Sequence, residues 1–334
     1  MTNTQYLLGA LVAVIAFILP LPAQAESIEE TRTKAEQGDA EAQFNLGKCY
    51  NSGEGLEMNK TEAVKWFRKA AEQGNAAAQR FLGLAYSFGL GVEKNQVEAV
   101  KLFRKAAEQG DMDAQVHLGV CYDNGKGLET NKAEAVKWYL KAAEQGHVVA
   151  QSHVGYCYAE GVGAEKNHVE SAKWFLKAAE QGDAIAQRSL GIQYANGQGV
   201  EKDEVEAVKW YRKAAEQGDA YAQAILGAAY ANGQGVVKNE AEAVKWFRLA
   251  AEQGHVIAQA NLGFAYANGQ GVVKNELIAY QWFLLASAKG IETSRENVSI
   301  LEERLTAEQR AEGQRLATEW QAAFEKRQAN AQEN

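Results

Sequence analysis

The chain repeats itself every 36 residues. Segment 215–250 returns with few changes in either direction, and a Gln-Gly pair marks each copy, at Gly38, Gly74, Gly110, Gly146, Gly182, Gly218 and Gly254. Seven copies (35–70, 71–106, 107–142, 143–178, 179–214, 215–250 and 251–286) run from 35 to 286 without gap or insertion. A fixed period of this size specifies a solenoid or array in which each unit packs only on its neighbours. The 334 residues therefore need not share one core, which chains of this length seldom do.

The first copy resolves into two helices. Asp39 is placed to cap the first, here called A. Ala42, Leu46, Cys49 and Tyr50 follow at helical spacing on one face. Gly47 interrupts helix A and recurs in every copy. Because a mid-helix Gly is unfavourable by about 1 kcal/mol against Ala, this recurrence predicts a helix crossing too close for a side chain. Gly53 and Gly55 shape the turn, with Gly53 as the left-handed cap. Helix B begins after Asn59, whose spacing to Glu62 suggests a capping box. Its apolar face carries Ala63, Val64, Trp66, Phe67, Ala70 and Ala71, and its polar face Lys65, Arg68, Lys69 and Glu72. Trp66 returns at 138, 174, 210, 246 and 282, with Leu102 the exception, as expected of a packing ladder between repeats. The expectation is an all-α, right-handed α-solenoid with two helices per repeat.

The ends differ from the array. Residues 26–38 align with helix B but are polar, as a capping helix should be. Residues 287–326 hold two further helices. The first carries Val298, Leu301 and Leu305. The second opens on a Thr306/Gln309 capping box and aligns Leu316, Trp320 and Phe324. Residues 327–334 are expected to form a flexible tail. At the other end, residues 6–21 are apolar and uncharged, Pro20 and Pro22 follow, and Ala23-Gln24-Ala25 matches a small-residue cleavage site. We read 1–25 as a signal peptide cleaved after Ala25, although residues 1–5 lack Lys and Arg. The run is short for an uncleaved anchor. The expected mature chain is bacterial, periplasmic or secreted, and not inserted in a membrane.

The motifs Ala-x-Ala-Gln-x-x-Leu-Gly-x-x-Tyr (40–50), Gly-x-Gly-Val (89–92) and Ala-Val-Lys-Trp-Phe-Arg-Lys-Ala (63–70) resemble the Sel1-like repeat family, a relative of the tetratricopeptide repeat. The resemblance implies an adaptor scaffold that assembles protein complexes in signalling, secretion, envelope or host-contact settings. It also implies that helix A lines the concave surface. A subgroup of secreted, cysteine-rich members supplies an alternative, a weak β-lactam-binding or hydrolysing envelope enzyme. That subgroup pairs cysteines within each repeat, whereas Cys49, Cys121 and Cys157 occur at most once per repeat. Adjacent stacked helices also stand too far apart for Cys121 and Cys157 to bridge.

Comparing the copies with one another separates scaffold from variation. Positions equivalent to 42, 43, 46, 47 and 50 barely change, while those equivalent to 41, 44, 45, 48, 51 and 52 vary and fall on the opposite side of helix A. That side carries the candidate partner-binding residues Phe81, Phe88, His117, His153, Tyr156, Arg188, Tyr221 and Phe264, of the aromatic and Arg types that anchor protein interfaces. Some of them are expected to pack against neighbouring A helices instead. His147 and His255 stand at N-cap positions and His168 opens a helix B, so no histidine pattern points to a metal. No nucleophile motif is present. The chain is expected to be a monomer without catalytic residues or cofactor, bound to a protein partner. Its net charge of −8 argues against a nucleic-acid surface, which needs a basic stripe.

Overall fold

Seventeen helices and no strand are present among the described residues. A computed structural model describes residues 27–333, so the expected leader lies outside the described residues. The chain divides into two units, Met1–Trp174 and Phe175–Asn334.

The first unit opens with α1 (Ile28–Glu36), followed by the pairs α2 (Ala40–Ser52) with α3 (Lys60–Glu72), α4 (Ala76–Phe88) with α5 (Gln96–Glu108), and α6 (Met112–Asn124) with α7 (Lys132–Glu144). It then holds α8 (Val148–Glu160) and the start of α9 (His168–Glu180). The second contains α10 (Ala184–Asn196) with α11 (Glu204–Glu216), α12 (Ala220–Asn232) with α13 (Glu240–Glu252), and α14 (Val256–Asn268) with α15 (Glu276–Ala288). It ends with α16 (Glu292–Arg304) and α17 (Ala307–Glu333). From α2 to α15, even-numbered helices are A and odd-numbered ones B.

The recurring glycine does what its recurrence predicts. A Cβ built on Gly47 would lie 2.7 Å from the Phe67 ring, and one on Gly227 2.6 Å from Phe247. Helices A and B of one repeat cross there with no space for a side chain. Around the crossing, Leu46, Leu118, Leu226 and Leu262 are fully buried. Gly53 is the left-handed cap of α2, with φ 80°. The Asn59/Glu62 box forms only by half. Asn59 Oδ1 accepts the Glu62 amide at 3.0 Å, but the Asn59 amide donates to the Tyr50 carbonyl at 2.9 Å. The Glu62 carboxylate instead takes Lys65 at 2.5 Å. A turn tied back to helix A leaves no free amide for the carboxylate to cap.

Two further inter-repeat ties account for marks whose role the sequence does not reveal. Gln43 is buried. Its amide donates to the Ala35 carbonyl at 3.0 Å and its oxygen accepts from Gln73 at 2.8 Å. The same two-sided joint recurs at Gln79 with Gln109 and Gln115 with Gln145 in the first unit, and at Gln187 with Gln217 and Gln223 with Gln253 in the second. Each buried amide thus has a partner on both its nitrogen and its oxygen, as burial demands. On the outer side, Arg68 donates to Tyr86 at 2.8 Å and Arg104 to Tyr122 at 2.7 Å, while Arg212 meets Tyr230 and Arg248 meets Tyr266 in the second unit.

The terminal helices complete these packings. Ser27 and Glu30 form a reciprocal capping box on α1, whose Thr31 and Ala35 are buried. Thr306 and Gln309 form another at the start of α17. Trp320 meets Trp282 edge-on at 5.9 Å, and a Cβ on Gly313 would strike Tyr280, so α17 lies directly on α15. Phe324 reaches Gly254. Helix α17 continues to Glu333, through the stretch expected to be a tail, with no large apolar residue beyond Phe324.

Candidate partner-binding face

The variable side of the A helices is not uniformly exposed. At several positions equivalent to 44, 45 and 48, side chains turn toward the aromatic residues of neighbouring helices. Phe81 stands 5.5 Å from Phe44 and 5.4 Å from Phe67. Phe264 meets Phe283 edge-on at 5.0 Å. His153 stacks on Tyr139 at 5.1 Å. His117 is buried, 5.0 Å from Phe103. Its Nε2 has no hydrogen-bond partner within the protein, and burial pushes its pKa down to about 4. It is therefore neutral at pH 7. Around it, Ala114 through Cys121 form an unbroken buried run, so α6 has no free side along that stretch.

Toward the helix ends the same face emerges. Phe88, Tyr156 and Tyr221 are 42%, 37% and 39% exposed, and they are the exposed aromatic side chains among the described residues. All three are on A helices, joined there by Met112, Ile185, Ile192 and Ile257.

Two charged clusters hold this face. In the first unit Arg80 Nε lies 3.0 Å from Asp111 and Nη2 3.3 Å from Asp113. Asp113 also meets His147 Nε2 at 3.2 Å. His147 caps α8, its Nδ1 accepting the Ala150 amide at 3.2 Å, which places the proton on Nε2 facing the carboxylate. The His147 hydrogen bond first, and then the Arg80 charge, hold the Asp113 carboxyl below its usual range. Three repeats on, Arg188 pairs with Asp219 at 3.4 Å and lies 5.0 Å from the centre of the Tyr221 ring. Tyr221 meets His255 edge-on at 4.8 Å. His255 caps α14 through Ala258 and is held below its usual pKa by burial, with Asp219 opposing.

One cavity of about 310 Å³ opens beside this face in the first unit. Leu84 and Phe88 of α4, Phe103 of α5, and His117 and Val120 of α6 form its walls. The cavity also touches Cys121, whose thiol is pushed up to about 11 by burial. Cys157 rises to about 12 for the same reason, and all three cysteines are free, so these are unreactive thiols. Among the described residues there is no cluster of three metal-ligating side chains, and no helix is long and apolar enough to cross a membrane.

Of the predicted face residues, the structure brings Arg188 and Tyr221 together, and Phe88 and His117 about one cavity. It leaves Tyr156 exposed on α8 and sets Phe81, His153 and Phe264 against aromatic rings. Sequence reasoning missed Asp111, Asp113 and Asp219 as partners of the arginines. Their signal was faint, because each is also a plain N-cap or first-turn acid.

Comparison with known proteins places this geometry. Seven consecutive segments match the Sel1 repeat, at residues 40–75, 76–111, 113–147, 148–183, 184–219, 220–255 and 256–291. Each match begins with helix A, a few residues after the boundary set by the Gln-Gly pair. A Sel1 repeat protein from Oxalobacter formigenes is similar over 84% of this chain and 83% of its own, at 31% identity and a TM-score of 0.67. An Escherichia coli protein described as a protective antigen of uropathogenic strains with an SLR fold is 33% identical. That likeness covers 90% of this chain and 81% of the other, with a TM-score of 0.51. Comparison with curated proteins gives no match. With helix pairs in the expected register and seven matched segments spanning most of its length, the chain is an α-solenoid protein that belongs to the Sel1 repeat family.

Proposed function

We propose that this protein is a bacterial periplasmic or secreted scaffold that binds a protein partner through the variable side of its A helices, without catalysis. The observation that supports it is the exposure of three aromatic residues, Phe88, Tyr156 and Tyr221, on A helices. Aromatic and Arg side chains concentrate binding energy at protein interfaces. Arg188 steadies Tyr221 from below. Phe81, His117, His153 and Phe264 fix the helices that present them. Export is inferred from residues 1–25, and the mature chain would begin at Glu26. A monomer is expected, because α1 covers α2 at one end and α16 with α17 covers α15 at the other.

The test is photocrosslinking in the native host, with a photoreactive phenylalanine analogue at Tyr156 or Tyr221. A discrete crosslinked partner should form at both. A third analogue at the exposed Ile192 should capture the same partner, and Tyr156→Ala/Tyr221→Ala should abolish that capture while helicity and melting temperature stay unchanged. Undiminished capture by that double variant would remove the face from consideration. Amino-terminal sequencing of the exported chain tests cleavage, and a start at residue 1 would refute it.

A further inference from the structure

The cavity beside α6 has a composition that the protein-binding reading does not use. Leu84, Phe88, Phe103 and Val120 give it an apolar interior. The rim carries Lys94 and Lys126, both exposed, and no carboxylate lines it. The lysine at the first of these positions is ordinarily neutralised. In the second unit, Lys202, Lys238 and Lys274 pair with Glu204, Glu240 and Glu276 at 3.3, 3.0 and 3.0 Å. In the repeat that forms the cavity, Gln96 stands where that glutamate would be, and it is committed to Ser87, donating to the backbone carbonyl at 2.7 Å. Lys94 is left without an ion pair among the described residues. Lys126 comes from the next copy and is peculiar to it, since the equivalent positions hold Glu54, Leu90, Val162, Gln198, Gln234 and Gln270. Phe88 is likewise peculiar, replacing Ser, Asn or Glu. Three departures from the repeat thus meet at one opening.

A second observation points into the same space. His117 is a wall residue, is buried, and has an Nε2 with no partner in the protein. A buried polar atom left unpaired is destabilising, and such atoms in native proteins generally mark a missing partner. We infer that this cavity binds an amphiphilic anion, its chain or ring against Phe88, Phe103 and Val120 and its acidic head between Lys94 and Lys126. A volume of about 310 Å³ lies at the small end of ligand sites, which suits a medium-chain carboxylate. A free fatty acid and a lipid-borne acyl chain share this chemistry.

The experiment is calorimetric titration of the full mature chain with sodium decanoate below its micellar concentration. The uncharged decanamide and a decanoyl lysophosphatidylglycerol serve as the other arms. One saturable decanoate site is expected. Lys94→Ala/Lys126→Ala should weaken decanoate by roughly tenfold and leave decanamide unchanged. Val120→Trp should abolish binding of both by filling the cavity. Leu84→Trp, at a half-buried wall, replaces it if that chain does not fold. Decanoate alone assigns the site to free acids, and binding of the lysolipid too extends it to lipid-borne chains. No saturable binding in any arm, binding that survives a filled cavity in a folded chain, or indifference to the double lysine change overturns the inference. The site is read separately from partner capture, because crosslinking at Tyr156 and Tyr221 does not depend on Lys94 or Lys126.

Discussion

Arg80 and Arg188 occupy the same position of the repeat, three copies apart, and the third member of each cluster differs. Both reach the N-cap aspartate of the next helix A, Asp111 or Asp219, and both lie near a histidine N-cap, His147 or His255. At the third point of the cluster the first has Asp113 and the second Tyr221. With the acid, the guanidinium is gripped by two carboxylates and the imidazole is drawn in behind them. With the ring, the guanidinium pairs with Asp219 and lies over Tyr221, which meets His255 and remains part-exposed. One joint has been closed into a strut and the other left as a surface. The scaffold is the same, so the side chain at this third point shifts the balance between structural tie and contact site.

The comparison is broken most severely by removing the arginines. Arg80→Met strands two partly buried carboxylates and should lower stability by roughly 3 kcal/mol. Arg188→Met strands one and should lower it by about half as much. Urea midpoints of the two variants measure the difference, and equal losses would mean that Asp113 contributes nothing to the strut.

Acid separates the regions next. His117 lies beside the first cluster, and the equivalent position in the second is Ile225. Its pKa is lowered in the fold, so the unfolded chain protonates first as pH falls. Its contribution is complete above pH about 6.5 and is lost on descent through about 4. This shift amounts to about 3 kcal/mol at its limit. Arg80, whose charge also disfavours the imidazolium, and Asp113 and His147 are the titrating or charged groups that bear on it. His117→Phe should flatten the stability profile between pH 6.5 and 4. An unchanged profile in that variant would place the acid sensitivity elsewhere.

Exchanging the third residue sharpens the contrast more gently. Asp113→Tyr should lower stability by about 1 kcal/mol, through loss of the Arg80 and His147 contacts. Tyr221→Asp should leave stability within about 0.5 kcal/mol while removing the crosslink at this face. The smallest effect on folding belongs to Tyr156→Ala, at an exposed side chain, with a melting temperature shifted by less than about 2 °C. A larger shift would show that Tyr156 is packing rather than surface.

The helix faces and the cap at Thr306 were legible in the residues, because each depends on neighbours within one helix or one turn, and the close crossing at Gly47 was legible because the glycine recurs with the 36-residue period. Gln43 was visible as a constant but had no assignable role, since its partners lie on other helices, Ala35 on α1 and Gln73 after α3. The variable side of helix A was legible as variable, not as exposed. Phe81, His117 and His153 differ at one equivalent position, yet each packs on the equivalent helix-B ring, Phe67, Phe103 or Tyr139. Single-helix periodicity cannot say which side a second helix covers. The aspartate partners of Arg80 and Arg188 were hidden in the same way, each serving already as a local cap or first-turn acid.

The buried Gln–Gln joint has a consequence for how such a chain can change length. Within either unit its joints are chemically alike, with the same amide, carbonyl and spacing on both sides. Cutting out a whole 36-residue copy and rejoining the ends at the Gln-Gly pair rebuilds an identical seam. Unequal recombination between copies of the gene would therefore yield shorter and longer proteins with sound joints, while reshuffling which variable residues stand side by side. Couplers of uniform gauge let the carriages be reordered, and here the cargo that moves with each carriage is the outward-facing set of side chains.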